Sequence, residues 1–244
     1  MKLFIAGQKY FGMSVYQLIR GLGHEIVGVS SPAWRDEKRT FAYGDKQDKS
    51  DQLRGEAELR GTPWMEAGSL NADTLPEGTD LIIAAHSHDI IGRLTRARCT
   101  YGAIGYHPSL LPLHRGRDAI RWSLRLHERI TGGTVFWLND TVDGGPVAAQ
   151  DWIFIPPKTS ADELWRTELQ PLGLRLIKGV VHDIAKGVIV QIPQDPTLAT
   201  WEPGLNPPRL YRPDLLMLTD GRKPLPGLQV VRSRAAERFA KGEE

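Results

Sequence analysis

The chain has 244 residues, with 31 Lys and Arg against 29 Asp and Glu and a formal net charge of +2. That near-balance gives no general attraction for a polyanion, so a nucleic-acid partner would need a local basic patch. The length allows one large domain, or one domain with an extension. A single cysteine, Cys99, leaves no internal disulfide and fits a reducing compartment. The opening MKLFIAG turns polar too soon for a secretory leader or a membrane span, so a cytoplasmic protein is expected.

In chain order, Lys2 to Ala6 reads as a short strand closed by Gly7. Val15, Leu18, Ile19 and Leu22 come next at helical spacing, Gly23 ends that helix, and Glu25 to Ser30 supplies a second strand. Continuous apolar runs of this kind are the mark of buried parallel strands. Residues Ser31 to Ala72 are rich in charge and turn formers, with a helix expected over Asp51 to Leu59 and a strand approached near Thr62. Further strands are expected at Asp80 to Ala85 and Ala103 to Tyr106, with helices over Asp89 to Arg96 and Asp118 to Leu126.

From Gly133 the pattern changes. Thr134 to Leu138 and Ala148 to Ile155 read as strands joined by the polar segment NDTVDGGP. A helix opening at Thr159–Ser160 should run to Lys186, interrupted near Pro171 by the missing backbone donor. From Gln191 the chain is rich in proline, which predicts an extended arm packing on the main domain or on a second subunit. The expected division is therefore a catalytic domain over 1–190 and an extension over 191–244, with a homodimer as one outcome of the arm.

Two segments carry candidate chemistry. In GAIGYHPSLLPLHRG a short strand delivers His107 to its carboxyl end, and Pro108 and Pro112 stiffen the turn beyond it. Ligands of open α/β sheets sit at such ends, and imidazole exchanges protons near neutral pH. A buried structural histidine would read the same way. In NDTVDGG, Asp143 stands beside glycines that permit a close ligand approach, although a plain hairpin loop has the same composition.

YHPSLLPLHRG and then FWLNDTVDGG resemble the formyltransferase family that uses 10-formyltetrahydrofolate. The strongest likeness is to the hydrolase domain of 10-formyltetrahydrofolate dehydrogenase, through IAGQKYFGMSVYQLIRGLGHEIVGV and GAIGYHPSLLPLHRGRDAIRWSL. It covers roughly residues 1–190. It implies a Rossmann-like α/β fold, mostly parallel with antiparallel edge strands. It implies that His107 is the catalytic histidine stabilising the tetrahedral centre at the formyl carbon, and that Asp143 is the catalytic aspartate. It further implies a folate pocket walled by Asn139, Asp140, Thr141 and Val142 and by Ala85 to Ile91, with His86, Ser87, His88 and Ile90.

No metal is expected, and the His86–His88 pair has a simpler reading as pocket wall. Most transferases of the family carry an asparagine two residues before the histidine, whose amide is expected to hold the formyl oxygen. Here Gly105 stands there, and the hydrolase domain's bulky apolar residue is absent too. Gln8 and Lys9, opening the first helix, are candidates for an anion of the acceptor, although a simple strand–helix turn reads the same way; Arg115 and Arg117 could bind a carboxylate or phosphate of the substrate or the folate glutamate tail, or could equally be solvated. Trp34 and Trp64 flank the variable region and fit core packing better than a substrate cleft.

Three functions remain open: transfer of the formyl group to a small-molecule amine, hydrolysis to formate, or folate binding with little catalysis. A tRNA acceptor is not expected, because about 50 residues after Gln191 are too few for a further β-barrel domain.

Overall fold

A computed structural model describes residues 1–32, 51–87 and 89–202. Trp34, His88, the start of the charged stretch and the chain beyond Glu202 lie outside the described residues.

The apolar runs become a seven-stranded sheet of order β3-β2-β1-β4-β5-β6-β7. The strands are β1 (Lys2–Gly7), β2 (Glu25–Ser31), β3 (Trp64–Glu66), β4 (Leu81–Ala85), β5 (Ala103–His107), β6 (Ile130–Trp137) and β7 (Val147–Phe154). β1 to β5 are parallel, while β6 and β7 add antiparallel strands at one edge. The Rossmann-like expectation holds, and the order reverses between β1 and β4, where open α/β sheets form their crevice.

The helices are α1 (Lys9–Gly21), α2 (Gln52–Leu59), α3 (Arg93–Ala97), α4 (Ala119–Arg125), α5 (Ala161–Leu164) and α6 (Gln170–Ala185). One sheet face carries the larger core, in which Leu3, Ile5, Ile83, Ile104 and Tyr106 meet Phe11, Val15 and Ile19 of α1, Leu53 of α2 and Ile177, Val180 and Val181 of α6. The other face carries Phe4, Ala6, Ile82 and Ala103 against Leu70, Leu75, Ile91 and Cys99. Because side chains alternate along a strand, His107 and Gly105 share the second face with Ala103, while Tyr106 points to the first.

Two elements depart from expectation. The helix foreseen from Asp89 begins only at Arg93, with Gly92 as its N-cap. Asp89 does not cap it, because its carboxylate accepts from Ser30 Oγ at 2.7 Å and from Gly68 N at 2.6 Å. The helix from Ser160 opens with a capping box to Glu163, as serine with glutamate three residues on favours. It is not broken at Pro171. A π-helical turn over Trp165–Leu169 precedes it, and the Gln170 N–H reaches back five residues to the Trp165 carbonyl. Proline, with no N–H to give, then falls at the start of α6, where the loss costs least.

α6 crosses Tyr106 so closely that a Cβ at Gly173 would sit 2.6 Å from the ring. The buried Tyr106 hydroxyl donates to the Leu169 carbonyl at 2.6 Å, and burial raises its pKa far above the usual phenol range.

The first residues of the proline-rich segment belong to the same body as 1–190. Ile192 bridges Val147, and Trp201 bridges Arg115. Among the described residues, no helix is long and apolar enough to cross a membrane.

Candidate functional site

β5 delivers His107 to the sheet face on which the segment Pro108–Gly116 folds back. That segment is pinned at many points. Leu111 N donates to Thr134 Oγ1, Thr134 Oγ1 donates to the Ser109 carbonyl, and Ser109 Oγ donates to the Leu113 carbonyl. Gln150 Nε2 donates to the Leu111 carbonyl and to Thr134 Oγ1. The Leu111–Pro112 peptide is cis.

The fold-back brings the His114 carbonyl to 2.7 Å from His107 Nε2. A carbonyl only accepts, so Nε2 carries the proton and Nδ1 is left as the free face of the ring. Nδ1 points at Asp143 Oδ2 across 3.6 Å, beyond hydrogen-bond length, in a site where the two side chains are 9% and 19% exposed. Asp143 comes from the loop between β6 and β7 and has a left-handed backbone at φ 50°. Strain of this kind persists where surroundings over-determine it. Here Oδ2 accepts from Gly116 N at 2.7 Å, and the Asp143 carbonyl accepts from Gln194 Nε2 at 2.8 Å. Imidazole and carboxylate therefore face each other across a gap, each held by its own backbone partner.

Gly105 lies one step before His107 on the same face. A Cβ built there would meet Leu138 Cδ2 at 3.1 Å and the Phe136 ring at 3.4 Å. The volume that a side chain would take is thus already filled by hydrocarbon.

Arg115 is buried rather than solvated, at 8% exposure. Its Nε and Nη2 both donate to Gln194 Oε1, at 3.1 and 2.7 Å, and its guanidinium lies 5.7 Å from the Trp201 ring. Gln194 also donates to the Gly145 carbonyl, so it ties Arg115 to the Asp143 loop. Arg117 is exposed.

The two expected pocket walls are separate loops joined by one side chain. Arg96 Nη2 meets Asp140 Oδ1 at 2.5 Å, and its Nη1 donates to the Ile91 carbonyl. Asn139 Oδ1 accepts from Thr141 N and Oγ1, which shapes the loop from within. Val142 and Ile90 are 61% and 92% exposed. Ser87 Oγ accepts from Asp89 N, and the His86 ring, at a backbone φ of 59°, stands edge-on to Trp165 at 6.1 Å. Among the described residues, no group of three His, Cys, Asp or Glu side chains gathers as a metal would need.

Gln8 and Lys9 open α1 beside the end of β4, where Gln8 N donates to the Ala85 carbonyl. The first helical N–H, at Lys9, donates to Asp51 Oδ2 at 2.7 Å. Asp51 also caps α2 through Leu53 N, so one carboxylate serves two helix starts. Burial raises the Asp51 pKa, against the lowering by its backbone donors. Gln8 is buried, and its Nε2 has no hydrogen-bond partner. Trp64 packs against the larger core, its Nε1 donating to Ser31 Oγ.

Arg96, Leu138, His114 and Gln194 were not foreseen. His114 stands in the recognisable LHRG run and Leu138 in FWLNDTVDGG, but neither run gives it a role, and nothing in the spacing links Arg96 or Gln194 to His107 or Asp143.

Residues 65–171 match the formyl transferase family. The chain carries a formyl transferase domain. It is 33% identical over 212 residues to the mitochondrial 10-formyltetrahydrofolate dehydrogenase of Homo sapiens, covering 83% of this chain and 22% of that protein. It is 29% identical over 210 residues to the methionyl-tRNA formyltransferase of Chloroflexus aurantiacus, covering 82% of this chain and 64% of that one. The fold matches the solved structure of glycinamide ribonucleotide transformylase 1 from Symbiobacterium toebii with a TM-score of 0.63 at 18% identity, over 80% of this chain and 94% of that chain. The chain thus spans only about a fifth of the dehydrogenase's length, 22%.

Proposed function

We propose that this formyl transferase domain moves the formyl group of 10-formyltetrahydrofolate to an amine of a small-molecule acceptor, using His107 and Asp143. The carrying observation is the gap of 3.6 Å between His107 Nδ1 and Asp143 Oδ2, with Nε2 locked on a carbonyl. When the ring is protonated, Nδ1–H is the donor for the oxygen that gains negative charge as the formyl carbon becomes tetrahedral. Asp143 accepts the proton that the attacking amine loses. Breaking the bond between the formyl carbon and the folate nitrogen requires a proton on that nitrogen, which His107 supplies. Asp143 then returns the amine's proton to His107 Nδ1, so one formyl group moves forward and, in net, one proton passes from the nucleophile to the leaving nitrogen.

The donor's pteridine is assigned to the space between His86, Ser87, Ile90 and the wall Asn139–Val142, which Arg96 holds together. The acceptor side is assigned to Arg115 and the α1 start at Gln8 and Lys9. Arg115 supports an anionic group there, because a buried guanidinium held mainly by a neutral amide gains from an anion.

Hydrolysis to formate is the second reading. It draws support from the hydrocarbon beside Gly105 and from Asp51, whose carboxylate already occupies the first N–H of α1. The first removes an amide donor for the formyl oxygen, and the second takes an N–H that an acceptor's anionic group would use.

The test is turnover of 10-formyltetrahydrofolate with no amine, with a panel of small amines, and with methionyl-tRNA. Release of tetrahydrofolate only with a small amine supports transfer, and release without any amine supports hydrolysis. Asp143→Asn, which keeps an acceptor for Gly116 N, should lower the rate about 10²–10⁴-fold. Activity surviving both Asp143→Asn and His107→Ala would sink the site assignment.

A further inference from the structure

His114 is 4% exposed and sits at a left-handed φ of 56°. Four contacts converge on it. Nε2 bonds Glu128 Oε1 at 2.8 Å, and Nδ1 lies 3.0 Å from Glu202 Oε1 without the angle of a hydrogen bond. Its backbone N donates to Thr200 Oγ1 at 2.7 Å, and its carbonyl takes the His107 Nε2 proton at 2.7 Å. Around it, Thr200 N donates to the Pro112 carbonyl and Arg115 N donates to the Thr200 carbonyl.

Glu128 lies just beyond α4, and Glu202 belongs to the proline-rich segment. Each ring nitrogen of His114 thus faces a carboxylate oxygen, and the two carboxylates come from opposite flanks of the fold-back segment. A ring hydrogen-bonded to one carboxylate and faced at close range by a second constrains the peptide that bears it. That peptide's carbonyl fixes which nitrogen of His107 holds the proton.

We propose that His114, clamped between Glu128 and Glu202, is a positioning residue for His107, so that the segment Thr200–Glu202 is part of the reaction machinery. The consequence for turnover rests on the formyl-transfer reading above; the clamp itself does not. Glu202 acts at two removes, through the ring of His114 and then through its carbonyl.

The experiment compares wild type with Glu202→Ala, Glu202→Gln, Glu128→Ala and Asp195→Ala. Two things are measured: the ¹⁵N–¹H correlation of the His107 ring, and kcat and KM for 10-formyltetrahydrofolate. A proton held on Nε2 against a carbonyl is protected from exchange and gives a ring signal. Glu202→Ala and Glu128→Ala should each lose that signal and lower kcat about tenfold, with KM changed less than about twofold. Glu202→Gln keeps an acceptor oxygen and should retain most of both.

Asp195 caps a 3₁₀ turn (Pro196–Leu198) in the same segment through Thr197 N and does not touch His114, so its loss should leave both unchanged. Should Glu202→Ala not fold, Glu128→Ala decides. The proposal is overturned if the signal persists in the folded alanine variants, if it vanishes while kcat stays unchanged, or if Asp195→Ala has the same effect. If wild type shows the ring signal but no formyl-folate turnover, and the alanine variants lose it, the function reading falls and the positioning role stands.

Discussion

Gly105→Asn, made alone and together with Leu138→Ala, probes the space beside His107. A Cβ at Gly105 would lie 3.1 Å from Leu138 Cδ2 and 3.4 Å from the Phe136 ring. Carbon atoms prefer about 3.5–4.0 Å, so the first added atom already compresses Leu138 by roughly half an ångström. The amide beyond it needs more room still. Overpacking of this kind costs about 1–3 kcal/mol.

Leu138 is only partly buried, so truncating it alone should cost less than the ~2–5 kcal/mol typical of a core leucine. In the double variant the amide enters the space that leucine vacates, and the two losses should not add. A coupling of about 1–2 kcal/mol is expected from urea unfolding of the single and double variants. Stabilities that add within about 0.5 kcal/mol would refute the claim that Leu138 fills the place of a side chain at position 105. If the formyl oxygen lies there, the double variant should also release tetrahydrofolate at least about tenfold faster than Leu138→Ala, since one oxyanion donor is worth roughly 10²–10³ in rate.

Three other substitutions test separate parts of the structure. Arg96→Met cuts the tie between the two pocket walls and should raise KM for 10-formyltetrahydrofolate about tenfold while kcat moves less than about threefold; an unchanged KM counts against the placement of the pteridine. Tyr106→Phe removes the donor to the Leu169 carbonyl and should cost about 1–2 kcal/mol in urea unfolding, with no loss of stability counting against that bond. For Asp51, burial places the folded carboxyl pKa above its unfolded value, so the folded state binds the proton more readily. Its ionisation therefore weakens the fold as pH rises from the unfolded carboxylate pKa through the folded one. Asp51→Asn removes the charge but keeps only one of the two acceptor oxygens, so it should start less stable than wild type, and that deficit should shrink as pH rises above the unfolded carboxylate range; a deficit that grows with pH defeats the argument.

The sheet could be read from the chain because each central strand is a short apolar run between turn formers, and burial on both faces imposes that pattern. LIIAA of β4 and AIGYH of β5 are examples. The delayed start of α3 could not be read. Asp89 looks like a helix cap in sequence, but its carboxylate is spent on Ser30 and Gly68, which are remote partners. His107 and Asp143 could be named from their motifs, yet not their separation, which depends on how the β6–β7 loop folds back to Gly116. Arg96 and Gln194 left no trace, because an arginine on a short helix and a glutamine in a proline-rich stretch have no periodicity that points inward. Glu202 is the same case, 95 positions beyond His107 in the chain and two contacts away from it in space.

β5 has a further consequence, for redesign. Its odd-numbered positions, Ala103, Gly105 and His107, look toward the loops, while Ile104 and Tyr106 look toward the helices. A single five-residue strand therefore keeps its candidate chemistry and its mechanical anchorage in two interleaved rows on opposite faces of the sheet. Libraries that vary only the loop-facing row can search for new reactivity without touching the contacts that keep the strand in place. The same search along the helix-facing row would chiefly select for proteins that still fold.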